Sequence, residues 1–374
     1  MRDAVRGYEL WRLEIPTGRE LGDCKCQFNA MDILVLCLKT DQGRIGWGFT
    51  QTMSKGIFTN AAPWVSPLPS LVQIQRDFAS GFWPRLQGKN PTVLKMQRPN
   101  PFSAYGGMNQ AIRIALWDLI AQIAELPLYQ FLGGSADLNR VRAYASGVDF
   151  PLPEDEAIKL FKGFANRGFT AVKVKVGSPD VTRDLRRLQV VREAVGDAVE
   201  IAADANEAWT CEQAIERIRF FQKEGVRLAY VEDPLPRTDL EGFVHLNKAV
   251  EPDIVGHDYI VDNPLEVRRF MERGAFDRVR TSTDIDEAQA YAEIAAEFGV
   301  PLIVGNTVFE FCVHGAVALP QSERLQFSDV GWNVLPRCPV GFDNGYAIAP
   351  SQPGHGLVLD LEQLKRFSRP QTEP

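Results

Sequence analysis

Residues 199–206 read VEIAADAN and residues 228–235 read LAYVEDPL. Each is a short, mostly apolar run that ends on acids, Asp204 in the first and Glu232 with Asp233 in the second. Near-continuous apolar runs of this length suit strands buried on both faces. The same form recurs on either side: VRAYASGV (141–148), TAVKVKVG (170–177), DIVGHDYI (253–260), DRVRTST (277–283), VPLIVGNT (300–307) and RLQFSDVG (324–331). Most gaps between these runs hold a helical pattern with its own start and stop signals. Thr210 and Gln213 make a capping box before AIERIRFF. Asn263-Pro264 sets a cap and a first-turn proline before LEVRRFMERG. Asp286 opens EAQAYAEIAAEFG, and Gly299 closes it. Strands alternating with helices mean parallel pairing through crossover helices. The fold class expected is therefore α/β, a (β/α)7–8 TIM-like barrel. A doubly wound open sheet is the alternative, but no GxGxxG follows a first strand.

Upstream of the barrel pattern the signals differ. Residues 8–14 and 32–38 are strand-like and flank a polar stretch, TGRELGDCKCQFN (17–29); a turn at DQGR (41–44) then leads into IGWGFT. These read as an antiparallel meander. From Asn109 to Glu125, apolar residues at 112, 115, 116, 119, 120 and 123 keep a helical period, and Gly133-Gly134 ends the segment. The expected organisation is an α+β capping domain over 1–132, a barrel over 135–345, and a tail, 346–374, that returns to complete the cap.

The whole-chain arithmetic agrees with a soluble globular protein. The 374 residues carry 41 Lys plus Arg against 48 Asp plus Glu, a net charge of −7. That balance argues against a sequence-independent hold on nucleic acid. No apolar run approaches a membrane span, and MRDAVRGYEL has no apolar leader region, so a cytoplasmic location is expected. Six scattered cysteines, with Cys24 and Cys26 one residue apart, match neither a redox nor a zinc spacing. Four histidines, His245, His257, His314 and His355, leave little material for a His-based site.

Active sites of such barrels lie at the C-terminal ends of the strands. The second strand ends in Lys173-Val-Lys175, which places both ammonium groups on one face. Adjacent positive charges depress each other's pKa, and a lysine so lowered is a usable base; on its own, a KxK pair is as readily a solvated strand end. The next three strands end in Asp204-Ala-Asn206, Glu232-Asp233-Pro234 and His257-Asp258. Their acids stand 28 and 26 residues apart (204 to 232, 232 to 258). Neighbouring strands lie about 4.8 Å apart, so the three carboxylates can converge, and all-oxygen ligation suits Mg²⁺. Taken singly, acids at such turns are also ordinary helix caps.

Together, KxK, DAN, VEDP and an acid after a fifth strand resemble the enolase superfamily, in its mandelate racemase and muconate lactonizing enzyme branch. ALWDLIAQIAELPLYQFLGG is similar to that family's segment linking cap to barrel. VREAVGDAVEIAADANEAW is similar to its third-strand entry, and APSQPGHGLVLD to the stretch that ends in the cap. The resemblance implies mobile cap loops near 17–30 and 51–64, and Mg²⁺ on Asp204, Glu232 and Asp258. It implies removal of a proton α to a carboxylate, with the metal stabilising an enediolate. Lys175 would be the base, Lys173 the neighbour that tunes it, and Asn206 a polar partner and substrate contact. Family barrels commonly assemble, so a homo-oligomer is expected.

On the other face the chain departs from the pattern. The seventh-strand His of racemase-like members is matched by Asn306, its sixth-strand Asp by Arg278, and an alternative sixth-strand Lys by Thr281. Thr283-Asp284 stands for a Gly-Gly, and Gln326 for an eighth-strand carboxylate. Asn306 is thereby a candidate catalytic residue, although it cannot replace a second base. A single-base reaction is left: Lys175 takes the α-proton and returns it to a leaving β-hydroxyl on the same face. Dehydration of a sugar acid or small hydroxy acid is the expected reaction. Racemisation or epimerisation, cycloisomerisation, and a pseudoenzyme that keeps metal and acid binding are the alternatives. Arg280, with Arg278, suits a second substrate carboxylate or an ordinary ion pair, and Lys55, with Phe58 and Trp64, falls in the expected cap loop. His257 and His314 read as structural residues, and Glu310 as a helix N-terminal acid.

Overall fold

The computed structural model describes residues 3–58, 68–95, 106–256, 263–281, 285–305, 309–337 and 340–368, with the backbone alone for 53–55, 58, 106, 287, 309 and 310. Three long strands open the chain: β1 (Val5–Gly22), β2 (Cys26–Thr40) and β3 (Ile45–Phe58). They pair antiparallel in the order β1-β2-β3. The polar stretch 17–29 is not a loop. It continues the two strands, with Leu21 facing Phe28 and Gly22 facing Gln27 across the hairpin. Leu21 and Phe28 are buried, so inward apolar residues persist through a segment whose polar composition suggests a loop. The turn is tight because Asp23 Oδ1 accepts hydrogen bonds from Lys25 N at 2.7 Å and Cys26 N at 3.0 Å. Residues 51–58, also expected as loop, continue β3. The helix Gly106–Ile123 packs on this sheet, and Ile112, Ala115, Leu116 and Leu119 join Leu34, Leu36 and Leu38 in its core.

Eight strands then follow: β4 (Arg140–Ser146), β5 (Ala171–Lys175), β6 (Glu200–Asp204), β7 (Tyr230–Glu232), β8 (Asp253–Gly256), β9 (Arg278–Thr281), β10 (Leu302–Val304) and β11 (Ser322–Phe327). All neighbours are parallel, and β11 returns to pair with β4 in parallel, which closes the barrel. Helices fill every gap between consecutive strands. Thr210 and Gln213 form the capping box in full, and Asn263 caps the helix that begins at Pro264. Apolar side chains turned outward pack beneath the helices as one large core, whereas Tyr144, Ala171, Ala202, Tyr230, Val255 and Ile303 fill the barrel's interior.

The tail makes two attachments. β12 (Gly341–Asp343) and β13 (Tyr346–Ile348) form a hairpin, and β13 lies antiparallel to the first half of β4. Beyond it, Gly354 bridges to Pro127 and Ser368 to Leu13, so the chain end packs on the N-terminal sheet.

Candidate functional site

Lys173, Lys175, Asp204 and Glu232 all lie on β5, β6 and β7 at the C-terminal end of the barrel, and the ladder sets Lys175 opposite Asp204 and Asp204 opposite Glu232. Residues two apart share a face. Lys173 and Lys175 therefore project inward together, as Asp204 and Glu232 do from the next two strands. All four are deeply buried: Lys175 is 8% exposed, Lys173 1%, and the two acids 0%.

The polar groups satisfy one another. Lys173 Nζ lies 3.0 Å from Asp204 Oδ2 and donates to Glu232 Oε1. Lys175 Nζ donates to Asp204 Oδ2 at 2.7 Å and to Asn206 Oδ1 at 2.8 Å. Asn206 N in turn donates to Asp204 Oδ1 at 3.1 Å. The backbone holding these groups is unusual. Asn206, Glu207 and Asp233 have φ of 47°, 63° and 42°, the left-handed region that side-chain-bearing residues seldom occupy. Such conformations concentrate where a fold is shaped for function.

Lys173 does lower the pKa of Lys175, as expected, but the net shift of both lysines is upward. Burial does push both ammonium groups down, but the carboxylates prevail: Asp204 and Glu232 hold Lys173 above its ordinary value, and Asp204 holds Lys175 above its own. Burial works to raise Asp204, yet the paired charges of Lys173 and Lys175 hold it far below the usual carboxylate range. Opposite charges in contact outweigh both burial and the repulsion between lysines.

Asp204 Oδ2 and Glu232 Oε1 both reach the ammonium of Lys173. Two buried carboxylates thus converge on one positively charged position, and hard oxygen donors so arranged fit Mg²⁺. Among the described residues no group of three or more His, Cys, Asp or Glu side chains converges; the third expected acid, Asp258, lies outside them, as do His257, Asn306, Trp64, Thr283 and Asp284. For Lys55 and Phe58 the described part is the strand backbone of β3. Arg280 is buried inside the barrel, with Nε 3.3 Å from Glu232 Oε1 and Nη1 donating to Tyr144 Oη at 3.4 Å. Arg278 sits at the opposite end of the barrel. It pairs with Asp253 at 2.8 Å and with Glu323, acids at the starts of β8 and β11, so it is not at the mouth.

Several members of this network have no motif to announce them. Tyr144 Oη donates to Gln326 Oε1 at 2.7 Å, and Lys173 Nζ reaches the same oxygen at 3.4 Å. Gln326, expected as the counterpart of an eighth-strand carboxylate, therefore meets the lysine side of the chamber. Asp149 Oδ1 accepts from Lys175 N at 3.1 Å. Ser146 stands opposite Lys173 at the end of β4, and its buried hydroxyl has no hydrogen-bond partner among the described residues. Strand alternation from the inward Tyr144 could have placed Ser146 on the inner face; nothing in the sequence marks Asp149. His314 is a structural residue, fully buried between Tyr129 N and the carbonyl of His355.

The profile of the Enolase C-terminal domain-like family matches residues 156–364. The chain belongs to that family. Its place is in the mandelate racemase and muconate lactonizing enzyme-like part of the enolase superfamily. It is 26% identical to the 3,6-anhydro-α-L-galactonate cycloisomerase of Streptomyces coelicolor over 96% of this chain and 98% of the relative. It is 27% identical to the arabinonate dehydratase of Saccharolobus solfataricus over 88% of each chain. Among solved structures, a putative mandelate racemase from Mesorhizobium loti superimposes with a TM-score of 0.89 at 34% identity, covering 99% of this chain and 96% of the other. Other matched relatives are epimerases, and solved structures of the same fold contain magnesium. No helix among the described residues is long and apolar enough to cross a membrane.

Proposed function

We propose that this chain is an enzyme that removes the proton α to a carboxylate, with Lys175 as the base and dehydration of a sugar acid or other small hydroxy acid as the reaction. The observation that carries the reading is the contact of Lys175 Nζ with Asp204 and Asn206 in a buried chamber, beside two convergent carboxylates. Asp204 and Glu232, with Asp258, would hold Mg²⁺. Bound there, the cation would compete with the lysines for these carboxylates and would supply positive charge to offset the negative charge left on the substrate as its proton departs.

The chain's own residues divide the remaining work. Once Asp204 no longer holds a proton on it, Lys175 takes the α-proton as a neutral amine and, on the same face, returns it to the β-hydroxyl, which leaves as water. Lys173, held between Asp204 and Glu232, keeps a second positive charge beside it. Asn206 aims Lys175 through its amide oxygen and lies next to the substrate. Arg280, buried against Glu232, acts on the substrate through that carboxylate. Lys55 is assigned to the cap side of the substrate, and Asn306 to the face opposite Lys175, where an amide can orient a hydroxyl but cannot accept a proton. The capping unit, 1–132 with 346–374, would close over the barrel of 135–345.

Likeness to an arabinonate dehydratase supports this reading. Cycloisomerisation is the second reading, supported by likeness along nearly the whole chain to a cycloisomerase; it uses the same base. The test is a panel of sugar acids and hydroxy acids in D₂O with Mg²⁺. Wild-type protein is expected to exchange or eliminate at the α-carbon of at least one of them, and Lys175→Ala to lose that exchange by about a thousandfold. Exchange that survives in Lys175→Ala refutes the assigned base, and product analysis separates dehydration from ring closure.

A further inference from the structure

The turn of the β1–β2 hairpin reaches across to the C-terminal face of the barrel and is bound by two of its loops, those after β4 and β6. Gly22 N donates to Val148 O at 2.9 Å, and Phe150 N to Gly22 O at 3.3 Å. Cys24 Sγ donates to Ala205 O at 3.4 Å. Lys25 Nζ donates to Glu207 Oε2 at 2.8 Å. Glu207 is held from the other side by Arg237, whose Nε and Nη2 donate to its two oxygens at 2.7 and 2.9 Å and whose backbone N adds a third bond at 3.0 Å. The side chains of Lys25 and Glu207 are only 12% and 9% exposed, so solvent screens this pair far less than a surface pair.

The position of this cluster sets it apart from an ordinary rim ion pair. Glu207 directly follows Asn206, the partner of Lys175, and its own N–H donates to Asp233 O, next to Glu232. Both Asn206 and Glu207 are left-handed, so this turn needs restraint from outside itself. Cys24 fits close above it, because a Cβ added to Gly177, two residues beyond Lys175, would stand 3.1 Å from Cys24 Sγ. One cation of the cluster comes from the barrel and the other from the N-terminal sheet, with the carboxylate between them on the loop beside the chamber.

We propose that Lys25, Glu207 and Arg237 form an ionic clamp that holds the β1–β2 tip closed on the barrel mouth, and that its release uncovers Cys24 and the Lys175 side of the chamber. The clamp rests on these contacts alone and stands whether or not Lys175 is the base. Its test is site-resolved alkylation of Cys24 by N-ethylmaleimide in the full-length protein, read by peptide mass spectrometry. Lys25→Met is expected to speed alkylation by about tenfold, the scale of a lost charged hydrogen bond, and Glu207→Gln by as much or more. Removing the Lys25 charge by itself disfavours the thiolate, so acceleration reports exposure. Lys39→Met, which breaks the exposed Lys39–Glu9 pair on the same sheet, is the control and should leave the rate within about twofold. If Glu207→Gln does not fold, Lys25→Met decides alone. A Lys25→Met rate within about twofold of wild type, with unchanged circular dichroism, overturns the clamp; so does equal acceleration in Lys39→Met, which would mean that the whole sheet had loosened.

Discussion

Asp204 carries more of the site than any other side chain. It pairs with Lys173 and Lys175 and accepts the backbone N–H of Asn206. Its charge is what the lysines share and what a divalent cation would take over. Asp204→Asn keeps the shape of the side chain and removes that charge. Calorimetry should show Mg²⁺ binding weakened by about tenfold or more, since even the outer partners of metal ligands are worth tenfold to a hundredfold. Undiminished Mg²⁺ binding in the variant would exclude Asp204 as a ligand. Much of this residue-level pattern was legible in sequence, because strand alternation puts residues two apart on one face and KxK, DAN and VEDP each end a strand. The charge state was not legible. Two lysines two residues apart on one strand face look mutually repulsive, and only their contacts show that each is matched to a carboxylate from another strand.

At the scale of elements, close backbone approach determines how the N-terminal sheet meets its helix. Gly46 and Gly48 in β3 lie against Gly106–Ile123, where a Cβ on Gly48 would stand 1.8 Å from Ala111 O and one on Gly46 2.5 Å from Ala115 O. At Gly48 the nearest atoms are all backbone, and at Gly46 Leu119 Cγ is as close as the carbonyl, so at Gly48 strand and helix would have to separate. Gly48→Ala is therefore expected to destabilise the protein by about 2–3 kcal/mol or more, seen as a lower midpoint in urea unfolding; an unchanged midpoint would contradict the packing. The hairpin is the element that sequence patterning misplaced. Residues 17–30 look like a loop by composition, yet Leu21 and Phe28 continue the buried face and Asp23 closes the turn with its own carboxylate. A polar strand end is stable here because it finds partners on the barrel, which no local pattern contains.

Across the whole molecule, two histidines join units distant in sequence. His314, on the helix Phe309–Ala318, accepts Tyr129 N–H at Nδ1 and bonds the carbonyl of His355 through Nε2; the His355 ring meets Trp47 O and Asp118. Both bonds of His314 require a neutral ring with its hydrogen on Nε2. Burial pushes its pKa down from 6.5 to about 3. The unfolded chain therefore binds a proton between pH 6.5 and 3 that the folded one refuses, so this contribution is complete above that window and is lost as pH falls through it. One such proton costs about 2 kcal/mol between pH 6.5 and 5. Denaturant titrations should show that loss in wild type and a shallower pH dependence in His314→Gln. Identical pH slopes would remove His314 from the account.

The alternation of apolar runs, helix caps and glycine stops was enough to specify a parallel barrel with a separate antiparallel sheet, because strand and helix periods are local properties of a chain. It was enough, too, to place two lysines and two carboxylates on neighbouring inward faces. Which charges touch, and which loops the hairpin tip grips, were decided only when the barrel closed. Those contacts join residues far apart in sequence, such as Lys25 with Glu207, 182 positions away. Their energies depend on burial and on neighbouring charge, and neither exists until the fold removes water and brings the partners together.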